Sequence, residues 1–370
     1  MNTGHSAAII LAAGLSSRSA SFKPLLPLGD GMIVARVISV FQENKVDVCL
    51  VVGHRRDEVR AAVKNINIIE NPDYERGMFT SVQAGIRTLS FDCKAFFIMP
   101  VDIPLVRPAT IARLLIEAEK YPDKIIYPVF GKRRGHPPLI PSSLIPSILA
   151  WNEDGGLKAV LSAHGNRAVE VAVPDGNILF DVDTTEDYEV LLQRFRRIHI
   201  PTTAECDVIL DDICGVAHGI RQHSIKVTGV ARMIGQALND SGHKADLEVI
   251  QAAAMLHDIA KGQPEHDAAG GRMLQSLGFG YIGDIVAVHT DLGNENTEFT
   301  RESKIVYLAD KFVSGTNLVP VEARYQIAGN KFAATPEIET NIARRKARAL
   351  GVKKELESLI GCPLENIILK

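Results

Sequence analysis

Two groups of residues in this chain have the types and spacing to act on phosphate. The first is the run Ala12-Ala13-Gly14, followed by Arg18 and Lys23. Small residues let backbone N–H groups approach an anion closely, and two nearby cations can neutralise a triphosphate and stabilise charge that moves during nucleotidyl transfer. No Gly-Lys-Ser/Thr ending follows, so this is not a Walker loop. A glycine turn with scattered cations is also an ordinary feature of α/β proteins. The second group is His223, His257-Asp258 and Asp310, set on otherwise apolar, helix-like segments. Metal-competent side chains there are costly to bury unless paired or ligated. One alone is ordinarily a hydrogen-bonded core histidine. Imidazoles with carboxylates suit Mn2+, Fe, Co2+ or Zn2+ better than an all-oxygen Mg2+ cage.

The elements that must position the first group alternate. Ala7 to Leu11 reads as a buried strand that breaks at Gly14. Strand-like Val46–Val52, Ala95–Val101 and Lys124–Val129 follow helix-like Ile33–Gln42, Thr80–Leu89 and Ala109–Lys120 respectively. This predicts an α/β three-layer sandwich with a mostly parallel sheet and right-handed crossovers. Ligands in such sheets bind at the carboxyl ends of the strands. Asp102 directly follows one strand; it is either a hard oxygen ligand for Mg2+ on a triphosphate or the cap of a turn before Pro104. A second carboxylate cluster, Asp181 and Asp183, is expected in the same crevice. Thr80 and Ser81 either face that crevice or cap the helix they begin. His136, in Gly135-His136-Pro137-Pro138, is as much a structural hydrogen-bonding residue as a catalytic one.

At 370 residues two domains are expected. The alternation closes near Arg194, and Ile200-Pro201-Thr202-Thr203 can end one element and cap the next. We place an α/β domain at residues 1–198 and an all-α domain at 204–370. The hydrophobic fraction of 46% and charged fraction of 23% suit a globular protein, and a net charge of −3 makes no case for nucleic acid or membrane binding. Apolar runs fall short of the ~20 residues that span a bilayer, and Met1 to Ser6 lacks a basic segment before an apolar core, so a cytoplasmic protein is expected. The five cysteines form no CxxC pair, against a disulfide framework or zinc ribbon. Lys261 reads as a helix-end lysine or a phosphate contact. Pro336 to Gly361 reads as a charged helix whose Arg344, Arg345, Lys346 and Arg348 form a solvated face with no assigned function.

Leu11-Ala12-Ala13-Gly14 with Arg18, Lys23 and Pro24 resembles the signature loop of the nucleotidyltransferases that activate sugars, alditols and molybdopterin, most nearly the molybdenum cofactor cytidylyltransferase branch. The resemblance implies that the loop, including Ala12, Ala13 and Gly14, wraps a triphosphate contacted by Arg18 and Lys23, and that CTP is the preferred nucleotide. Asp102 resembles the Asp of a G-D-x-P motif, with Pro100-Val101 where a Gly is usual, and Asp183 that of a D-x-D-T-P-E-D segment, with Thr185 where Pro is usual, which implies that they share Mg2+. Asn71-Pro72 through Gly77 and Ser81 resembles a stretch that borders base and acceptor, and His136 a G-H-P turn on the acceptor side. Ser19-Ala20 departs from a usual glycine; if that position needs φ > 0, alanine is strained there.

The order His223, His257-Asp258, Asp310 resembles the HD metal-dependent phosphohydrolases, which implies that the four converge on a divalent metal. His266 and His289 stand where two-metal members carry further ligands, with Asp258 as the bridge. The expectation is a bifunctional enzyme. One domain transfers CMP from an NTP to a phosphorylated acceptor such as molybdopterin, releasing pyrophosphate, with a molybdoenzyme as partner. The other hydrolyses a phosphoester. Alternatives are a sugar- or alditol-phosphate acceptor, a guanylyl transferase, and an HD domain that regulates by binding nucleotide.

Overall fold

The N-terminal unit is assembled on strand β1, Ser6–Ala12. Ala8, Ile10 and Ala12 pack with Ile33, Val37 and Phe41, whereas Ala7, Ile9 and Leu11 pack with Val82, Ile86 and Ile148. Period-two alternation with both faces apolar makes a strand covered on both sides. The computed structural model describes residues 5–14, 22–293, 298–332 and 335–369, and the chain divides into two units between Ile198 and His199.

Seven further strands join β1: Asp47–Val52 (β2), Asn67–Glu70 (β3), Ala95–Pro100 (β4), Ile125–Phe130 (β5), Arg133–Arg134 (β6), Leu139–Pro141 (β7) and Ala168–Ala172 (β8). The order is β8-β5-β7-β4-β1-β2-β3, with β6 hairpinned onto β5. All pairings are parallel except those of β7 with β4 and β5 and of β6 with β5. Helices α1 (Ile33–Gln42) and α3 (Pro108–Lys120) bury residues in one cluster, and α2 (Met78–Ile86) in the other, giving the expected three layers. Helix α2 lies so close to β1 that a Cβ on Gly85 would stand 2.4 Å from Ile9 Cγ2. Strands β3, β6, β7 and β8 are additions to the sequence reading; they are short, and β7 follows two prolines and ends on a third, so none carries a long apolar run. Helix α4, Thr185–Arg196, closes the unit; Thr184 and Asp187 cap it reciprocally.

The C-terminal unit opens on a second reciprocal cap, between Thr202 and Glu205, before α5 (Thr203–Val208). Its longer helices are α6 (His218–Asp240), α7 (Leu247–Leu256), α8 (His266–Ser276), α9 (Gly280–Val286), α10 (Arg301–Lys311), α11 (Val321–Phe332) and α12 (Pro336–Ile360), with short helical turns at Ile209–Ile213 and Glu365–Ile368. Val227, Val230, Ala231, Ile234 and Leu238 form the helical stripe by which α6 meets Ala252 to Leu256 and Ile305 to Ala309 in one core. The all-helical expectation needs one amendment, a two-residue ribbon pairing Val313–Ser314 with Asn317–Leu318. Among the described residues no helix is long and apolar enough to cross a membrane.

Candidate active sites

In the N-terminal unit the carboxyl ends of β1 and β4 bring together residues far apart in sequence. A cavity of about 190 Å³ is lined by Ala12, Ala13, Gly14, Lys23, Tyr74, Met78, Ser81 and Asp102, among others. Lys23 opens a short helical turn and is buried. Its ammonium stands 2.5 Å from Asp183 Oδ1 and 3.7 Å from Asp102 Oδ2. The two carboxylate segments are tied by a hydrogen bond from the Val182 N–H to the Asp102 carbonyl at 2.8 Å, and Asp183 is fixed where the cap of α4 begins. Burial pushes the Asp102 carboxyl up, against the opposing pull of Lys23. Two carboxylates meeting at one point offer the oxygen donors that Mg2+ takes.

Ser81 is buried and accepts a hydrogen bond from Asn71 Nδ2 at 2.8 Å. It does not cap α2, and neither does Thr80, whose hydroxyl bonds back to the Gly77 carbonyl at 2.8 Å. Gly77 is the residue before the helix, with φ +113°, a conformation that favours glycine. His136 does not line the cavity; its backbone N–H bonds to the Ile178 carbonyl at 2.9 Å, and Nδ1 is buried without a partner. Burial lowers the His136 pKa. Arg18 and the Ser19-Ala20 departure lie outside the described residues. The sequence reading did not single out Tyr74, whose signal was its place between Asn71 and Gly77; Met78 lay within the stretch it associated with base and acceptor.

The six residues expected at the C-terminal centre all converge. His223 lies four residues before Val227, at the end of the buried stripe of α6; His257 caps α7; His266 opens α8; His289 follows α9; Asp310 ends α10. Asp258 is central, and its two oxygens serve different neighbours. Oδ2 faces His257 Nε2 at 3.5 Å and His223 Nε2 at 3.9 Å, while Oδ1 faces His266 Nε2 at 3.3 Å and His289 Nε2 at 3.4 Å. Asp310 Oδ1 joins the first pair, 3.0 Å from His223 and 3.8 Å from His257.

Three imidazoles are anchored through the other nitrogen. Nδ1 of His223, His257 and His289 donates to the carbonyls of Gly315, Ala254 and Val286 at 2.8, 2.7 and 2.7 Å. A carbonyl only accepts, so Nδ1 carries the proton in the neutral ring and Nε2 presents a lone pair to the carboxylates. Lone pairs facing carboxylate oxygens at these distances fit a cation between them. His257 Nε2 and His266 Nε2 are buried without a hydrogen-bond partner, which fits the same arrangement. Two triads sharing Asp258, His223-His257-Asp258 and Asp258-His266-His289, have their ligand atoms within 4.8 Å of one another. Burial opposes ionisation of Asp258, but His257 and His289, which can donate through Nε2 only when the rings are protonated, together with the Lys261 charge more than offset it, and the carboxyl then lies well below the usual carboxylate range.

Two lysines belong to this centre. Lys261 Nζ lies 3.1 Å from Asp258 Oδ2. Lys311, not singled out by the sequence reading, is buried and donates to Asp310 Oδ2 at 2.8 Å and to the His289 carbonyl at 3.2 Å. A lysine directly after a ligand candidate on an apolar helix was its available signal.

Comparison with known proteins agrees with both halves. Residues 8–169 match the family model of the MobA-like NTP transferase domain, and residues 220–315 that of the HD domain. The chain is 29% identical over 194 residues to the molybdenum cofactor cytidylyltransferase of Escherichia coli (strain K12), covering 51% of this chain and 97% of the relative. Among solved structures, Rv0371c from Mycobacterium tuberculosis H37Rv is 25% identical, with a TM-score of 0.46 over 52% of this chain and 99% of that one. Its complex with manganese gives 26% identity and a TM-score of 0.43 over 51% and 98%. This chain carries a MobA-like NTP transferase domain at residues 8–169 and an HD domain at residues 220–315.

Proposed function

We propose that the N-terminal domain transfers a cytidylyl group from CTP to the phosphate of a small molecule, molybdopterin being the favoured acceptor, and that the HD domain hydrolyses a phosphoester. The observation that carries the transferase reading is the meeting of Asp102 and Asp183 at the buried Lys23 ammonium, beside the Ala12-Ala13-Gly14 turn. Similarity to the cytidylyltransferase over 97% of its length supports the choice of base and acceptor.

A phosphate oxygen of the acceptor attacks the α-phosphorus of CTP in line, the bond to the bridging oxygen breaks, and pyrophosphate leaves. Lys23 and Arg18 hold the leaving phosphates and offset their growing charge. In this reading Gly77 and Ser81 border the base and the acceptor, and His136, which lies outside the cavity lining, supports the acceptor side only indirectly. Asp102 and Asp183 hold Mg2+, which when bound neutralises the triphosphate. In the HD domain, His223, His257, Asp258 and Asp310 form one side of a dinuclear site and His266 and His289 the other, suited to Mn2+, Fe, Co2+ or Zn2+. When bound, such ions supply electrophilic activation of the phosphoryl group. Both activities fit a cytoplasmic enzyme that passes its product to a molybdoenzyme.

The test is pyrophosphate release by the full chain with molybdopterin, Mg2+ and each of CTP, GTP, UTP and ATP. Release is expected to be fastest with CTP. A preference for GTP overturns the cytidylyl reading, and no release with any nucleotide overturns the transferase reading. Divalent-metal-dependent hydrolysis of p-nitrophenyl phosphate, lost in His257→Ala, tests the second half.

A further inference from the structure

The basic cluster on α12 is not simply a solvated face. Arg344 Nη2, Arg345 Nε and Arg348 Nη1 all reach one carboxylate, Asp291, at 3.2, 3.4 and 2.5 Å. Asp291 follows His289 by two residues, which keeps their Cα atoms within about 7 Å. The two groups are also joined through buried side chains. Lys311, bonded to the His289 carbonyl, lies 4.8 Å from the centre of the Tyr307 ring, and the Tyr307 hydroxyl donates to the Arg345 carbonyl at 3.4 Å.

Three guanidinium groups against one carboxylate leave an excess of two positive charges. Among the described residues, the ion pairs of these arginines all end on Asp291. Asp291 is largely covered, at 15% side-chain exposure, whereas Arg344 and Arg345 remain 48% and 47% exposed. Helix α12 is anchored by buried Ala349, Val352 and Leu356 just beyond them, so their backbone is held in place. Crowding like charges around a single acid is unfavourable as a stability device, but it presents the planar, forked donors that phosphate takes.

We propose that Arg344 and Arg345, aligned by Asp291, bind a second phosphate of the molecule that the HD domain hydrolyses. The substrate class is then a phosphoester bearing further phosphates, as in a nucleoside polyphosphate, and not a simple monophosphate. This rests on the hydrolase reading above. Helix α12 lies outside the segment matched to the HD family.

Calorimetric titration of the full chain with inorganic tripolyphosphate, free of divalent metal, tests the anion site without catalysis. Binding in the N-terminal domain is common to all variants. Arg344→Gln/Arg345→Gln, at half-exposed positions, should weaken the C-terminal binding by about tenfold or more, and Asp291→Asn, which frees the guanidinium groups, should tighten it. Unchanged titrations overturn the proposal, and so does equal loss in Asp291→Asn, the mark of a structural clamp. With Mn2+ added, the double variant should hydrolyse p-nitrophenyl phosphate within about twofold of the parent, while tripolyphosphate inhibits it about tenfold less well. If the parent hydrolyses no phosphoester, the hydrolase reading fails and the titration still decides the anion site. If hydrolysis stands and both titration and inhibition are unmoved, the anion site alone fails.

Discussion

The two candidate centres solve the problem of holding charge differently. In the N-terminal domain Asp102 sits on the loop after β4 and Asp183 on the loop before α4, and they have a protein cation, the Lys23 ammonium, already between them. In the HD domain the ligand candidates stand on or beside helices that share one core, three of the four Nδ1 atoms committed to carbonyls and, among the described residues, two Nε2 atoms facing Asp258 without a hydrogen bond. The first centre has one of its two carboxylate charges offset by its own lysine and calls for a cation that arrives with the nucleotide. The second is a set of converging lone pairs that calls for a cation by itself.

The sharpest way to break this comparison is to remove each centre separately. Asp102→Ala should lower nucleotidyl transfer by roughly 10²–10³-fold or more and leave HD-domain hydrolysis within about twofold; His257→Ala/Asp258→Ala should do the reverse. Joint loss in either variant, measured on the full chain, would show that the centres are not independent. Next in size is metal uptake. Calorimetry without nucleotide should find Mn2+ binding that Asp102→Ala leaves unchanged and Lys311→Met weakens roughly 10–100-fold, because Lys311 orients Asp310 and the His289 segment from behind. Equal affinity in Lys311→Met would reduce that lysine to packing.

Two smaller effects concern the N-terminal scaffold. Gly85→Ala places a methyl against Ile9 and should destabilise that domain by about 1–3 kcal/mol, seen as a lower midpoint for its own transition only. The smallest is pH dependence. Burial holds the His136 imidazole below its ordinary value, whereas the unfolded imidazole takes its proton near pH 6.5. Between those two values the unfolded chain binds more protons, so stability rises with pH through the window and is lost as pH falls below about 6.5. His136→Gln should flatten that dependence in thermal unfolding between pH 5 and 7, and an unaltered slope would point to another group.

Where a signal was periodic or local, the sequence carried it. Ile33–Gln42 reads as a helix with the bounds that α1 has, and both reciprocal caps lie in short runs, Thr184 to Asp187 and Thr202 to Glu205. His223, His257, Asp258 and Asp310 stood out because polar groups interrupt apolar helices, whereas His266 and His289 were named only through the family resemblance. What could not be read depends on partners distant in sequence. Strand β7 is three residues whose pairing comes from Ala95–Phe97 and Ile126. Burial of Lys23 depends on Asp183, 160 residues away, and the gathering of three arginines depends on Asp291, more than 50 residues before them.

Asp258 has a consequence of a thermodynamic kind. Each of its oxygens faces a different pair of imidazoles, so any ion drawn by one oxygen changes the electron density and the orientation available at the other. Two occupancies that share one carboxylate are linked, with a coupling free energy that acts equally in both directions. Uptake of metal by the HD domain should then follow a curve that no single dissociation constant describes, and replacing a histidine on one side should shift affinity on the side left intact.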